Sequence, residues 1–389
     1  MNNKAWLAAF EVIATLQRAG FEAYIVGGAV RDQLLGKDVH DVDVATSALP
    51  TEVQSLFTTT VDVGILHGTV IVVHPLAPIE VTTFRVEGTY EDHRRPSTVH
   101  FVRNLRDDLA RRDFTVNAMA LTKDHTIIDY FGGQADLAAK IVRAVGDAKE
   151  RFSEDALRML RAVRFVAQLN FTVDRQTKDA IQSCSADLAY VAKERIKQEI
   201  DKIWQGEAIT EAIRLMEETD LVKVLPGVWR AQTWRGFKPK TVEEGWAYFL
   251  HYNRTQPHIA SHYRLTNQEK RSVKQIHLAF DALVERGFTR LDYYRYDGNV
   301  LCSAVRIARH LQRTKLSEED VLQNKARLPI QSRQALAVDG HDLQKWCNKK
   351  PGKWLQQALQ EIERAVLYEE IDNTQQQIRS WYCNGVDQR

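Results

Sequence analysis

Residues 24–46 read Tyr-Ile-Val-Gly-Gly-Ala-Val-Arg-Asp-Gln-Leu-Leu-Gly-Lys-Asp-Val-His-Asp-Val-Asp-Val-Ala-Thr, and this stretch decides the fold of the first part of the chain. A short apolar run ends in Gly27-Gly28, and a helix-like segment with Arg31 and Asp32 follows. Two glycines after a strand let the backbone approach a phosphate closely, and the next helix N-terminus adds N–H donors. The stretch therefore predicts a strand, a phosphate-binding turn and a helix.

The same stretch continues into a second apolar run that carries Asp41 and Asp43. Positions i and i+2 of a strand point to one face, so we expect the two carboxylates side by side. Paired carboxylates beside a phosphate-binding turn suit Mg²⁺, which prefers oxygen ligands and is usually shared with substrate phosphates. Either feature alone is weak, because a Gly-Gly pair is usually a turn and Asp-x-Asp a solvated strand end. Together they indicate nucleotidyl transfer, with Asp41 and Asp43 as the catalytic and metal-binding residues.

Length and composition predict a globular protein of several domains. The chain has 389 residues, which exceeds the usual limit for one hydrophobic core and favours two to four domains. No apolar run is long enough to span a bilayer and the N-terminus does not read as a signal peptide, so no membrane partner is expected. The four cysteines are far apart and form no C-x-x-C pair, which predicts free thiols in a reducing cytoplasm.

The net charge of +2 does not by itself indicate a nucleic-acid-binding protein. Arginine is nevertheless concentrated in residues 94–112 and 151–164, close to the predicted site in the sequence. Local basic patches, and not net charge, attract polyanions. A solvated arginine-rich face is the alternative interpretation.

Periodicity predicts an α+β fold: a mixed β-sheet with helices, followed by an all-helical remainder. Residues 4–18 have the pattern of an amphipathic helix, and from about residue 147 almost every segment has a helical period. Strands rich in Val, Ile and Thr are predicted at 23–26, 39–45, 61–65, 69–74, 79–85 and 126–130. The predicted domains are a head at 1–146, a helical neck at 147–205, a helical body at 206–290 and a helical tail at 291–389.

A second informative block, residues 111–120, reads Arg-Arg-Asp-Phe-Thr-Val-Asn-Ala-Met-Ala. Its apolar members are expected to pack on the back of the head sheet. Its polar members are too many for a plain core element, and they are Arg111, Arg112, Asp113 and Asn117.

A third block, residues 151–167, predicts an amphipathic helix with Ser153 as its N-cap. Glu154 and Asp155 would then lie in the first turn, where the helix dipole favours acids, and this capping role is the alternative interpretation for both. The face opposite the apolar one carries three arginines, Arg158, Arg161 and Arg164. Such a row implies an anion and a planar group to bind.

Asp155 and Arg158, one helical turn apart, can read the edge of a nucleobase. The carboxylate accepts from an exocyclic amino group, and the guanidinium donates to ring nitrogen or oxygen acceptors. Cytosine and adenine carry that amino group, whereas uracil and guanine place a carbonyl oxygen there. One acid–arginine pair can therefore admit C and A and reject U and G without a nucleic-acid template.

These blocks, in this order, resemble the motifs of the DNA polymerase β nucleotidyltransferase superfamily. Within it they resemble the class II tRNA nucleotidyltransferases (CCA-adding enzymes) and the bacterial poly(A) polymerases. The resemblance is strong over residues 20–165 and runs thinly to the end of the chain. A weaker match is Lys193-Glu-Arg-Ile-Lys-Gln-Glu199, which is similar to a family segment that supports the preceding helix.

The resemblance implies a Mg²⁺-dependent enzyme that extends tRNA with CTP and ATP and releases pyrophosphate. It assigns nucleotide binding to Gly28, Arg31, Arg112, Asp155, Arg158, Arg161 and Arg164. Glu80 on a following strand is a candidate third carboxylate, Glu154 leads the template pair, and Asp113 and Asn117 organise the loop or contact the ribose. The helical body and tail would bind tRNA by shape and backbone. Whether the chain acts alone or as a homodimer stays open.

Three alternative functions stay open on the sequence. A bacterial poly(A) polymerase shares the head motifs but usually carries a strongly basic extension, which the segment Asn384-Gly-Val-Asp-Gln-Arg389 is not. A CC-adding enzyme would lack part of the linker that residues 85–97 fill here. The polar segment 87–97 reads as a surface loop, and by the resemblance as a lever for the switch from C to A. A degenerate transferase that only binds RNA is disfavoured by the intact acidic residues.

Overall fold

The computed structural model describes residues 4–39, 41–64, 68–87, 90–91, 95–96 and 99–386. The chain forms two compact units. One comprises Met1–Lys238 and Ser261–Arg264, and the other comprises Pro239–Ala260 and Leu265–Arg389. The division after Lys238 falls within the predicted body, and the division into head, neck, body and tail stays a prediction. The predicted α+β fold class is confirmed, because the large sheet is confined to the N-terminal part and helices make up the rest.

The strands of the described residues are β1 Ala23–Val26, β2 Asp43–Thr46, β3 Thr60–Gly64, β4 Thr69–Val73, β5 Pro78–Thr83, β6 Arg85–Glu87, β7 Tyr90–Glu91, β8 Arg95–Pro96, β9 Val99–Phe101, β10 Met119–Leu121, β11 Ile127–Asp129, β12 Ile141–Val142 and β13 Thr172–Val173. Seven of them form one mixed sheet in the order β11-β10-β1-β2-β5-β4-β3. All its neighbours are antiparallel except β2 and β5, which run parallel.

The helices of the described residues are α1 Lys4–Arg18, α2 Gly28–Leu34, α3 Pro50–Leu56, α4 Leu105–Ala110, α5 Gly133–Ala139, α6 Ala148–Glu154, α7 Leu157–Leu169, α8 Arg175–Cys184, α9 Lys193–Trp204, α10 Ile209–Glu218, α11 Leu221–Val224, α12 Ala231–Trp234, α13 Val242–His251, α14 Ile259–His262, α15 Asn267–Arg286, α16 Arg290–Arg295, α17 Gly298–His310, α18 Glu318–Ala326, α19 Gly340–Cys347, α20 Lys353–Leu367 and α21 Gln375–Val386. None of the described helices is long and apolar enough to cross a membrane.

The head core lies between α1 and one face of the sheet. Side chains such as Ile13 and Leu16 from α1 pack with Ile25, Val44 and Val81 from three neighbouring strands, and all five are almost fully buried. Burial of a large aliphatic side chain stabilises a fold by about 1.5–3 kcal/mol, so this layer holds the central strands in place. The strands that carry the predicted site are therefore anchored from behind.

The six predicted strands are all present, but β10 was missed. Both faces of the sheet are covered at this strand, so Met119, Ala120 and Leu121 are all buried. No alternation of apolar and polar residues therefore marks the strand in the sequence. They pair with β1 on one side and β11 on the other. The end of the second sequence block thus forms a strand of the sheet, next to β1 and one strand from the edge, instead of packing on its back.

The third block is not one helix begun by Ser153, and this prediction was wrong. Helix α6 runs to Glu154, Asp155 leaves it with extended backbone (φ −142°, ψ 100°), and α7 begins at Leu157. The Ser153 hydroxyl donates to the Glu150 carbonyl within α6. Asp155 caps the second helix, since its carboxylate accepts from the Leu157 N–H at 3.1 Å. Polar residues that separate two helices look, in the sequence, like the capping residues at the start of one helix.

The predicted loop 87–97 lies largely outside the described residues. Of the parts that are described, Tyr90–Glu91 and Arg95–Pro96 pair as a short antiparallel ribbon, and Arg85–Glu87 pairs with Val99–Phe101. The sequence analysis predicted a loop here because the segment is polar. Strands of two or three residues are too short to show an alternating pattern. The role of the segment in a switch from C to A stays a prediction.

Candidate active site

Two exposed aspartates lie at the start of β2, at one edge of the anchored head core. Burial alternates along this segment: Asp41 and Asp43 are exposed, whereas Val42 and Val44 are buried. The predicted common face is therefore present, although the strand itself begins only at Asp43. Asp43 pairs with Val26, the last residue of β1, and this register puts its carboxylate next to the Gly-Gly turn.

A third carboxylate lies beside the pair. In the parallel ladder of β2 and β5, Val44 pairs with Val81, which puts Glu80 next to Asp43. Partial loss of hydration, together with the negative charges of Glu80 and Asp41, raises the pKa of Asp43 to about 6, and the nearby Arg112 opposes this shift. A carboxylate whose pKa is raised in part by neighbouring acids marks a place where a cation would be bound.

No group of three metal-ligating side chains is already gathered around one point in the part of the chain that the structure describes. This is consistent with a Mg²⁺ site of the kind that uses one or two carboxylates and completes its shell with substrate phosphates and water. The oxygen-only donor set of Asp41, Asp43 and Glu80 fits such a hard cation.

The turn after β1 holds a guanidinium close to the backbone. Gly27 has φ 73° and ψ −134°, a region that is almost confined to glycine, and α2 begins directly after it. A Cβ atom added to Gly27 would lie 3.1 Å from Nη1 of Arg112. The Nε atom of Arg112 is buried and has no hydrogen-bond partner among the described residues. The turn thus combines close backbone approach with an unsatisfied cationic donor, a combination that fits a phosphate.

Asp108 positions that arginine, and sequence reasoning missed it. The Asp108 carboxylate is 1% exposed and accepts from Arg111 at 2.8 Å and from Arg112 at 3.1 Å. Burial by itself would raise the pKa of Asp108, but the two guanidiniums outweigh it and lower the pKa. The available signal was the i, i+3 and i, i+4 spacing of one acid before the Arg-Arg pair.

A relay of hydrogen bonds joins the turn to the neck. Arg31 donates to the side-chain amide oxygen of Asn117 at 2.5 Å, and the side-chain N–H of Asn117 donates to the Asp113 carboxylate at 3.0 Å. The other Asp113 oxygen accepts from Arg161 of α7 at 2.7 Å. Burial would raise the pKa of Asp113, but Arg161 and the hydrogen bonds it accepts lower it to about 2. Asp113 and Asn117 are both buried, and their predicted roles, organising the loop or contacting the ribose, stay predictions.

Three guanidiniums surround the ring of Phe165. Arg31 lies 5.1 Å, Arg161 5.8 Å and Arg164 4.3 Å from its centroid. Phe165 itself is buried and packs edge-on against Phe114. Burial and the neighbouring Arg161 lower the pKa of Arg164 to about 10, so its positive charge is only partly compensated. This concentration of cations, contributed by α2 and α7, suits a polyphosphate.

The side chains of Asp155 and Arg158 are held by different partners, and their joint reading of a base edge stays a prediction. Asp155 receives two hydrogen bonds from Arg195 of α9, at 3.1 and 2.8 Å. Arg158 is buried and donates to Glu154 at 2.5 Å and to the Arg111 carbonyl at 3.0 Å. Each member is thus held by a separate partner because the helix breaks between them.

The weak match at 193–199 has a clear place in the structure. Its Arg195 holds Asp155, and its Glu199 lies 3.2 Å from Arg164. Both contacts run from α9 to the adjacent neck segment, as expected of a supporting helix. Arg195 is a positioning residue that the site prediction did not include.

The comparisons with known proteins agree with this geometry. Three family models match along the chain: the poly(A) polymerase head domain at residues 23–143, the "Probable RNA and SrmB- binding site of polymerase A" at 170–232, and the tRNA nucleotidyltransferase domain 2 at 237–382.

Curated relatives match over nearly their whole length. The CCA-adding enzyme of Geobacillus sp. (strain WCH70) is 41% identical, over 96% of this chain and 95% of that protein. The CCA-adding enzyme of Anoxybacillus flavithermus is also 41% identical, over 98% of each.

Solved structures match over the whole chain. The Bacillus stearothermophilus CCA-adding enzyme, solved in complex with CTP, aligns with a TM-score of 0.84 and 36% identity, over 100% of this chain and 99% of that one. The Thermotoga maritima CCA-adding enzyme, at TM-score 0.65 and 19% identity over 99% and 96%, supports the fold alone.

The raised pKa of Asp43 predicts that Asp43→Asn stabilises the metal-free protein above pH 6. The native state holds the Asp43 proton more tightly than the unfolded chain, so its stabilising contribution is complete below about pH 4 and is lost as pH rises through about 6. Asparagine removes the repulsion with Glu80. We expect a gain on the order of 1 kcal/mol, because water screens part of the repulsion at this exposed site.

Thermal unfolding in EDTA at pH 5 and pH 8 measures this effect. The Tm difference between Asp43→Asn and wild type should be near zero at pH 5 and positive at pH 8. Equal Tm values at both pH values would contradict the carboxylate cluster.

Asp108→Asn should destabilise the head by about 3–5 kcal/mol, because it leaves the guanidiniums of Arg111 and Arg112 without a buried counter-charge. The exposed neighbour Asp107 offers a matched control, and Asp107→Asn should change stability by less than about 0.5 kcal/mol. Urea unfolding monitored by circular dichroism distinguishes them. Similar midpoints for the two variants would show that Asp108 does not anchor the arginines.

Proposed function

Because the chain belongs to the family of CCA-adding enzymes, we propose that it builds and repairs the 3′-terminal CCA of tRNA from CTP and ATP. The reaction is a nucleotidyl transfer that releases pyrophosphate and needs no nucleic-acid template. The observation that carries the proposal is the carboxylate cluster of Asp41, Asp43 and Glu80 beside the Gly27 turn. Its uncompensated negative charge lies next to cationic groups that suit a triphosphate.

Asp41 and Asp43 would hold Mg²⁺, and Glu80 is the candidate third ligand. The bound ion lowers the pKa of the attacking tRNA 3′-hydroxyl and neutralises charge on the leaving pyrophosphate. The aspartates orient that site because the strand they begin is anchored on the buried side by Val42 and Val44. Arg112, held by Asp108, stays close enough to limit the repulsion among the carboxylates.

The triphosphate would bind along the cationic side of the site. Gly28 begins α2 after the close-approach turn, and Arg31 and Arg164 lie around the same buried ring. Arg161 is already paired with Asp113, so we expect it to position neighbouring groups more than to bind the triphosphate. Arg164, whose charge is only partly compensated, is left to bind the polyphosphate.

Base selection would come from Asp155 and Arg158. Arg195 orients the Asp155 carboxylate by two hydrogen bonds, and Glu154 orients Arg158. For one base to contact both, Asp155 and Arg158 must turn their polar atoms toward a common ligand. The Asp155 carboxylate has lone pairs beyond the two that Arg195 uses, so it can accept from the base while Arg195 still holds it. The helical body and tail would bind tRNA by shape and backbone.

The alternatives are weaker in the light of the comparisons. The match to a poly(A) polymerase head model covers only residues 23–143, and the relatives that span the chain are named CCA-adding enzymes. A CC-adding enzyme would lack part of the linker that residues 85–97 fill here, and a non-catalytic RNA-binding protein would not need the intact set of acids. Incubation with tRNA lacking its 3′ end, Mg²⁺ and each nucleoside triphosphate singly, followed by sequencing of the product ends, distinguishes these functions.

Asp41→Ala and Asp43→Ala should each lower the rates of C and A addition by about a thousandfold or more, since metal-assisted charge stabilisation is worth several kcal/mol. Affinity for tRNA should stay within about twofold of wild type, because the helical parts supply it. Single-turnover extension and filter binding measure the two quantities. Normal turnover in Asp43→Ala would contradict the catalytic assignment.

Asp155→Ala should lower selectivity for CTP over UTP, because it removes both the acceptor for the amino group and the repulsion of a carbonyl oxygen. A hydrogen-bonded base edge is worth about 1–3 kcal/mol, so discrimination should fall about 5- to 150-fold. Arg195→Met should produce a smaller loss in the same direction, since it leaves the carboxylate present but unoriented.

Competition assays with mixed nucleotides measure this selectivity, and thermal unfolding serves as the control. Unchanged selectivity with a lowered Tm would make Asp155 a helix-capping acid only.

A further inference from the structure

The C-terminal helices α19 and α21 enclose a polar groove of about 760 Å³. It is lined from α19 by Asp342, Lys345 and Trp346, and from α21 by Gln375, Gln376 and Arg379. All of these belong to the second compact unit, so the groove does not include any residue of the candidate active site. The residues that line the groove are mostly polar or charged, whereas those of an ordinary helix interface are apolar.

One wall of the groove is an aromatic plane. Trp346 is only partly buried and packs against the core of buried residues that includes Leu343, Ile362 and Ile378. The guanidinium of Arg379 lies 5.9 Å from the Trp346 ring centroid, within cation–π range. The ring is therefore anchored by the core, and a cation lies near it.

The charge of the groove is not balanced. The side chains of Lys345 and Arg379 form no ion pair with any of the described residues, and both are exposed. The one carboxylate in the groove, Asp342, accepts from the Asp339 N–H at 3.0 Å and from Gln375 at 3.1 Å. Asp342 offsets only one of the two cations, so the groove keeps a net positive charge.

We propose that this groove binds one unstacked nucleobase of the tRNA together with its adjacent phosphate. The base would stack on Trp346, the carboxamide of Gln376 would read its edge, and Lys345 and Arg379 would bind the phosphate. Aromatic planes flanked by arginine and lysine are the common way to bind single-stranded nucleotides, and carboxamides match base edges. A paired base hides its faces within the helical stack, so the ligand is a base from a loop or an unpaired position.

The inference deepens the proposed function and rests on it, since tRNA is the RNA in question. It adds a second recognition point, specific for an exposed base, to binding by shape and backbone. It predicts that tRNA affinity depends on the groove, whereas nucleotide chemistry does not.

The test compares full-length variants for binding to tRNA that lacks its 3′ CCA, at one fixed salt concentration. Trp346→Ala should raise Kd about 5- to 150-fold, because stacking of one base is worth about 1–3 kcal/mol. Trp346→Phe, which keeps an aromatic ring, should stay within about threefold of wild type. Arg379→Gln should also weaken binding. Trp354→Ala is the matched control, because Trp354 packs against the same core but does not line the groove.

Each outcome decides the proposal. If folded Trp346→Ala binds tRNA as Trp354→Ala does, base stacking is overturned. If only Arg379→Gln weakens binding, the groove contacts phosphate alone, and the proposal is also overturned. Should Trp346→Ala fail to fold, Arg379→Gln and the exposed-site variant Gln376→Glu decide, because wild-type affinity in both overturns it. Wild-type kcat for C addition at saturating tRNA and an unchanged KM for CTP are expected in all groove variants.

The proposed function fails separately from this inference. Absence of any extension by the wild-type protein would contradict the transferase assignment, whatever the groove variants do. Wild-type extension with groove variants that bind tRNA normally would leave the transferase intact and overturn the groove alone.

Discussion

The ion pair between Asp113 and Arg161 is the interaction on which the candidate site depends. Asp113 is buried and follows the head helix α4, whereas Arg161 comes from the first long helix of the neck. The same carboxylate orients Asn117, which in turn holds Arg31 beside the Gly-Gly turn. Removal of Arg161 would leave the buried Asp113 carboxylate without its counter-charge, a change that typically costs about 3–5 kcal/mol. One carboxylate therefore couples the parts of the molecule that we propose to bind phosphate and to read the base.

Charge is balanced unevenly across the site, and this unevenness has a chemical meaning. Asp108 and Asp113 are acids whose pKa is lowered by arginines, and they serve to position those arginines. Asp43 is the opposite case, because neighbouring acids and lost hydration raise its pKa. The charges of Asp108 and Asp113 are thus balanced by arginines of the protein, whereas the charge of Asp43, at the candidate metal site, would be balanced by a bound cation. Strain of this electrostatic kind is common where a protein binds metal or substrate.

Sequence patterns predicted elements well where the period had room to appear. The 15-residue helix Lys4–Arg18 and strands such as Thr69–Val73 show clear alternation or helical spacing. Met119–Leu121 has three residues and two buried faces, so no period existed to detect. The helix break at Asp155 was invisible for a related reason: a capping acid and a helix-breaking acid are the same residue type, and only the backbone angles distinguish them.

The sequence alone determined the chemistry of this protein: Asp41 and Asp43 two positions apart, the glycine turn before them, and the arginines of the neck. These features follow from residue identity and spacing, because residues at a fixed spacing in a strand or helix lie on the same face. Tertiary structure alone decided the partners. Arg195 reaches Asp155, and Glu80 reaches Asp43, across 40 and 37 positions of chain. Contacts at such separations depend on how helices and strands pack, and packing is set by the buried core as a whole, which no local pattern encodes.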